Sequence, residues 1–212
     1  MPWAVSGLTR TDAMLVPRIG NAPVYGGTPA DAAVIEAIRG LRARGQKVMF
    51  YPFILMDQLA GNGLPDPWTG AGDQPPLPWR GRITCSVAPG RPGSPDGTNA
   101  ATAEVTAFFG TVRPSDFQIS GGSVTYSGPE EWSLRRFILH YAALCAAAGG
   151  VDAFCIGTEM VALTQIRGPN NSFPSVAALR ALAQDVRAIL GLQAKVGYAA
   201  DWSEYFGYAP QD

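Results

Sequence analysis

Apolar residues recur at helical spacing in three stretches, and each stretch has both ends marked. Val34, Ile35, Ile38 and Leu41 form the first stripe. Thr28 reads as its N-cap, with Pro29 in the first turn, Asp31 three residues after the cap and Gly45 as the stop. The second stripe is Trp132, Phe137, Ile138, Tyr141 and Leu144, opened by the capping-box pattern Ser127-Gly-Pro-Glu130 and closed by Gly149-Gly150. The third starts near Ser172–Pro174, carries Val176, Leu179, Val186, Ile189 and Leu190, and stops at Gly191. A short apolar run follows each helix: Val48–Ile54, Val151–Gly157 and Lys195–Ala200. A fourth, Trp3–Gly7, precedes the first helix.

Strands alternating with helices through short loops predict a parallel sheet with right-handed crossovers. The middle run has an informative parity, because Ala153, Cys155 and Gly157 point one way while Phe154 and Ile156 point the other. Small residues on one side and large ones on the other suit a (β/α)-barrel wall whose large side packs on helices. An open doubly wound sheet accommodates the same pattern.

The stretch from Asp57 to Gly128 is too long for an ordinary loop between a strand and a helix. Between Gly61 and Gly97 about four positions in ten are Gly or Pro, so an irregular segment interrupts the chain. It holds Trp68, Trp79, Arg80 and Arg82, and a short helix is expected around Ala100–Gly110. In a parallel barrel it leaves the carboxyl end of the Val48–Ile54 strand, on the face where active sites form. A binding lid and a passive surface excursion are both compatible with that placement.

Composition narrows the function classes. The chain has 212 residues, 47% of them hydrophobic, which is enough to bury a sizeable core. Only 16% are charged, with a net charge of −1, so no basic footprint for nucleic acid or anionic lipid is present. No run approaches the ~18 apolar residues of a membrane span. The opening MPWAVSGLTR lacks the charged and apolar regions of a signal peptide. Cys85, Cys145 and Cys155 are odd in number and far apart, the pattern of buried small hydrophobes in a reducing compartment and not of a disulfide framework or zinc site.

Two carboxylates stand out by position. Continuing the middle strand's parity puts Glu159 on the small-residue side, just past the strand end. A carboxylic acid in a partly desolvated barrel mouth can act as a general acid. The same spacing also fits a glutamate at the N-terminus of the next helix, stabilised by its dipole. In the next strand Gly197 and Ala199 share a face with Asp201, which is followed by Trp202, Tyr205 and Phe206. Paired carboxylates beside aromatic rings serve glycosidic cleavage, but the spacing favours Asp201 as a hydrogen-bonding or capping residue and the rings as core. The sole histidine, His140, falls inside a predicted helix and reads as structural. Gly26-Gly27-Thr28 explains itself as a turn and cap. No HExxH, CxxC, Walker A or GxGxxG pattern occurs, so no metal or cofactor is expected.

The runs KVMFYPFILMD, PWRGRITC, FCIGTEM and YAADWSEYFG resemble the TIM-barrel-like domain in the tail-hub protein of gene transfer agents and related tailed phages. More distantly, the order of these blocks is similar to the β-mannanase-type retaining glycoside hydrolases. The resemblance implies a partial (β/α)8 TIM barrel spanning about strands two to five, with the insertion at about 57–128 after strand three. Trp3–Gly7 would be strand two, Val48–Ile54 strand three, Val151–Gly157 strand four and Lys195–Ala200 strand five. It implies Glu159 as the acid/base, with Asp201, Trp202, Tyr51, Trp79, Arg80 and Arg82 lining a sugar site. Thr158 stands where many members of that hydrolase clan have Asn. Their nucleophile lies on strand seven, past Asp212 by this count, so residues 1–212 read as an excerpt of a larger domain, inactive alone. The implied function is a tail module of a phage or gene-transfer-agent particle, assembled in the bacterial cytoplasm, that binds and in its complete form cuts a bacterial cell-envelope glycan, with other tail or baseplate proteins as partners. The alternative is a non-catalytic structural or receptor-binding module on the same scaffold.

Overall fold

The structure, a computed structural model, describes residues 29–56 and 60–205, and the backbone of strand residues 3–5, 13–15, 18–19 and 22–23. The chain is mixed α/β and forms two compact units. The first comprises Met1–Pro52, Gly110–Ile156 and Leu182–Gly197, and the second Phe53–Phe109, Gly157–Ala181 and Tyr198–Asp212.

Near the N-terminus, β1 (Trp3–Val5) pairs antiparallel with β2 (Ala13–Leu15), and β3 (Arg18–Ile19) with β4 (Ala22–Pro23). The expected parallel strand at Trp3–Gly7 is therefore one arm of a local hairpin. Pairing across a short loop costs less chain entropy than pairing with a strand distant in sequence. Ser6, Gly7 and Gly26-Gly27-Thr28 lie outside the described residues.

Helix α1 (Asp31–Ala43) begins later than its sequence signals suggest. Pro29 precedes the helix, and extended Ala30 holds the cap position without a side-chain bond. Asp31 supplies negative charge to the first turn, and Gly45, at φ 74°, ends the helix as expected. Val34, Ile35 and Ile38 are buried, whereas Leu41 is mostly solvated, so the core stripe is narrower than read.

The first unit is built around α3 (Leu134–Ala147), of which α1 covers one side. It opens at Ser133, whose hydroxyl accepts from Arg136 N–H at 3.2 Å, and not at Ser127. Glu131 explains the shift. Its carboxylate accepts from Thr111 N–H (2.8 Å), the Thr111 hydroxyl (2.9 Å) and the Ser133 hydroxyl (2.6 Å), which ties residues 127–132 to the segment after Gly110. Burial pushes this carboxyl's pKa up, but those donors outweigh it and hold the group below its usual range. A hairpin absent from the expectations, β6 (Phe117–Ser120) and β7 (Ser123–Tyr126), also packs on α3. Its signal was the alternating FQIS and SVTY runs flanking Gly121-Gly122, a two-residue turn with both φ values positive.

His140 is buried in α3, with Nε2 3.1 Å from Asp31 Oδ1 and its ring beside Tyr141. Burial pushes its pKa down to about 3, so the imidazole is neutral in the fold. The unfolded chain takes up a proton near pH 6.5 that the fold refuses, so this contribution to stability is full above pH 6.5 and declines as pH falls toward 3. With one histidine in the chain, its imidazole resonances are expected to stay unshifted from pH 8 to 5. A titration midpoint near 6.5 in the folded protein would contradict the assignment.

β5 (Met49–Phe50), β8 (Ala153–Thr158) and β9 (Lys195–Ala199) form one sheet in the order β5-β8-β9. β5 and β8 are parallel, with Met49 opposite Ala153 and Phe50 opposite Phe154. Lys195 N–H donates to Asp152 O near the start of β8, and Glu159 N–H to Ala199 O past its end, so β9 also runs parallel. The ladder of β5 is shorter than the expected Val48–Ile54, because Pro52 has no N–H to continue it. The parity of β8 holds on its large side. Phe154 stacks on Phe50, which stacks on Tyr141 of α3. Among the described residues no closed barrel is present, and the parallel sheet has three strands, consistent with a partial barrel. α5 (Pro174–Leu190) ends at Gly191 as expected, with Arg135 of α3 paired to its Asp185. Cys85, Cys145 and Cys155 are buried, and burial pushes all three thiols up in pKa.

Candidate functional site

The second unit contains the segment that follows β5. Asp66 organises its first part. Its buried carboxylate accepts from Trp68 N–H (2.8 Å), the Thr69 hydroxyl (3.1 Å) and Arg82 Nη2 (3.2 Å to each oxygen). Burial pushes Asp66 up in pKa, and its bonds from Trp68 and Thr69 together with the charge and bonds of Arg82 reverse that and hold it low. Arg82 lies over the Trp68 ring at 5.6 Å, and Trp68 Nε1–H donates to Arg82 O at 2.9 Å. Arg82 is thus engaged in holding the 3-10 turn Arg80–Arg82. The helix α2 (Asn99–Phe109), expected near Ala100–Gly110, completes the segment through buried Ala101, Val105 and Phe109.

That turn packs against α4 (Val161–Gln165), the short helix after β8. Two bonds then meet one atom. Trp79 Nε1–H donates to Glu159 Oε2 at 3.0 Å, and Arg80 Nη2 donates to the same oxygen at 2.6 Å. The Arg80 guanidinium also lies over the Phe53 ring, 4.9 Å from its centroid. Gly81 is required here, because any Cβ would overlap the Trp79 indole. Trp79 as a residue is 44% exposed, so its indole N–H is committed to Glu159 while the residue still meets solvent.

Glu159 sits in the left-handed region, at φ 51°. For a residue with a Cβ this costs about 1 kcal/mol. Two bonds from main-chain N–H groups hold it there: Glu159 N–H to Ala199 O (2.9 Å) and Met160 N–H to the Tyr198 side-chain hydroxyl (2.7 Å). Tyr198 in turn donates to Glu204 (2.9 and 3.2 Å). Its ring lies against Gly157, where a Cβ would come within 3.1 Å of Cε2. The face of β9 nearest Gly157 therefore carries Tyr198, reversing the parity expected from Gly197 and Ala199. A glycine on one strand makes room for the ring on the next.

Asp201 turns instead to Ser203, accepting from its N–H at 2.9 Å and from its hydroxyl, and these bonds hold its carboxyl below the usual pKa range. Glu204 accepts from Asp201 N–H at 2.8 Å, the return half of a capping box, while the Asp201 side chain bonds Ser203. The D-x-x-E spacing was legible in the sequence, but nothing in it pointed Glu204 at a strand residue. Trp202 is 78% exposed. Tyr51 follows β5 in the first unit, and Phe206 lies outside the described residues. The structure thus brings together Glu159, Trp79 and Arg80, adds Phe53, Tyr198 and Glu204, and binds Arg82 and Asp201 to other partners. A carboxylate, a guanidinium and an exposed tryptophan are groups that bind sugar hydroxyls and stack on sugar rings. Among the described residues no three His, Cys, Asp or Glu side chains are grouped to hold a metal, and no helix is long and apolar enough to cross a membrane.

Residues 132–212 match the family model of the GTA TIM-barrel-like domain. The matched part holds α3, β8, α4, α5 and β9, and with them Glu159, Tyr198 and Glu204, while Trp79 and Arg80 lie before it. No curated protein matches the chain.

Proposed function

We propose that this chain is a tail module of a gene-transfer-agent or phage-like particle, and that its Glu159 cluster binds a bacterial cell-envelope glycan. The family match supports the particle assignment. The observation that carries the binding reading is the clasp of Glu159 by Arg80 and an exposed Trp79. Glu159 is engaged as a hydrogen-bond acceptor with a guanidinium at 2.6 Å. That arrangement suits recognition of hydroxyl groups better than delivery of a proton to a leaving alkoxide, so binding without cleavage is the leading reading. Hydrolysis is the second reading. The left-handed conformation of Glu159 supports it, since a strained residue at a strand's carboxyl end is a common catalytic placement.

Cosedimentation with purified peptidoglycan sacculi, and separately with insoluble capsular polysaccharide, tests binding, and reducing-end release by the complete domain tests hydrolysis. The chain is expected to bind one of them, Trp79→Ala and Glu159→Gln to lose at least tenfold in affinity, and reducing ends to stay at background. Release of reducing ends that Glu159→Gln abolishes replaces binding alone with hydrolysis. No binding by the unaltered chain to either polymer removes the glycan assignment.

A further inference from the structure

Glu159 owes its placement to its neighbours, and one side-chain pair holds the peptide that follows it. The Tyr198 phenol has a single proton, which goes to Glu204, leaving its oxygen lone pairs to accept Met160 N–H. Burial first, and the Glu204 charge with it, push the phenol's pKa well up, so it remains a donor across the physiological range. Glu204 accepts from Tyr198 and from Asp201 N–H at 2.8 Å, and lies 3.1 Å from the Thr164 hydroxyl, which shares its one proton with Val161 O at 2.9 Å. Thr164 lies in α4, the helix that packs on the turn bearing Arg80. The pair therefore ties together the residue after Glu159, the end of β9 and the helix behind the Trp79–Arg80 turn.

We infer that Tyr198 and Glu204 are positioning residues for the Glu159 site, holding the Glu159–Met160 peptide so that the carboxylate meets Trp79 and Arg80. The inference rests on the glycan-binding reading only for its effect on affinity. Its geometric content stands independently. Removing the phenol oxygen leaves Met160 N–H without its acceptor and a carboxylate without its donor. The left-handed Glu159 then relaxes toward an ordinary strand conformation, and its side chain swings away from the indole.

The Trp79 indole N–H reports this directly, because its proton resonance is sensitive to the bond with Glu159. Among five tryptophans it is assigned by its disappearance in Trp79→Phe. Tyr198→Phe and Glu204→Ala are expected to move this resonance in the same direction as Glu159→Gln does, and to weaken binding to sacculi or capsular polysaccharide at least fivefold. Glu204→Gln keeps an acceptor for the phenol and is expected to recover part of both effects. The His140 imidazole signals, in the first unit, should not move in any of these variants. If Tyr198→Phe is too unstable to study, the two Glu204 variants decide alone. A Trp79 signal unchanged in Tyr198→Phe and Glu204→Ala, but shifted in Glu159→Gln, overturns the positioning role. A shifted signal in a chain that binds neither polymer upholds the positioning role and defeats the glycan assignment.

Discussion

Replacing Gly110 by alanine is expected to lower stability by about 3 kcal/mol, or roughly 6–12 °C in Tm for a chain of this size. Gly110 sits at φ 79°, between α2 and the segment that meets Glu131. An added Cβ would overlap Glu131 Oε1 and the Ser133 side chain. Neither can retreat easily. Glu131 holds three donors at once, and Ser133 caps α3. The positive φ alone costs a residue with a Cβ about 1 kcal/mol, and the overlap adds the rest. Gly45→Ala separates the two contributions, because Gly45 has a similar φ of 74° and open space around it. It should lose only about 1 kcal/mol. Equal losses in the two variants, read from denaturant titrations, would show that the Glu131 junction is not tightly packed.

Asp96→Ala is expected to cost about 2–3 kcal/mol and to loosen the segment that supplies Trp79 and Arg80. The Asp96 side chain is 5% exposed and accepts from Arg167 N–H (2.7 Å), Nε (3.0 Å) and Nη2 (2.7 Å). Gly97 N–H returns a bond to Arg167 O at 2.8 Å. These bonds join two parts of the second unit that lie 71 residues apart in sequence. Arg167 is partly solvated, so water compensates some of the loss, but its main-chain N–H does not find an easy substitute. Asp96→Asn retains an acceptor and should lose about half as much. Limited proteolysis between residues 60 and 109 should accelerate in Asp96→Ala, and the Trp79 indole resonance should shift toward its position in Glu159→Gln. An unchanged cleavage rate would mean that Asp66 and Arg82 hold the segment without help from Asp96.

The periodic elements were legible because their signals are local. Val34, Ile35 and Ile38 of α1, Leu179 and Val186 of α5, the stops at Gly45 and Gly191, and the β8 parity that turns Phe154 toward Phe50 follow from side-chain spacing and backbone stereochemistry within a dozen residues. So did Glu159 as the residue to watch, since strand parity carries it to the carboxyl end of β8. Val176, expected in the α5 stripe, is instead exposed, and Leu182 is buried in its place. Helix starts were less secure. Ser127 offered the right pattern, yet Glu131 was drawn to Thr111, and the cap passed to Ser133. Trp3–Val5 illustrates the same limit, because pairing depends on which partner is near, and a hairpin partner lay only a few residues on.

What only the tertiary structure decided is the company each functional residue keeps. Four residues of similar appearance in sequence, Trp79, Arg80, Arg82 and Asp201, divide into two that hold Glu159 and two that serve local turns. Nothing local distinguishes Arg80 from Arg82. Asp66 captures one and Glu159 the other because the 3-10 turn points them apart, and that turn rests on α4. Tyr198 and Glu204 were invisible for the same reason, since their role depends on a glycine in a neighbouring strand and a left-handed peptide beyond it. By itself the sequence determined the bodies of α1, α3 and α5, the three strands of the parallel sheet and the carboxylate at the end of β8, because hydrophobic period and backbone sterics act over short range. Which donors meet that carboxylate depends on side chains distant in sequence, and only packing brings those within 3 Å.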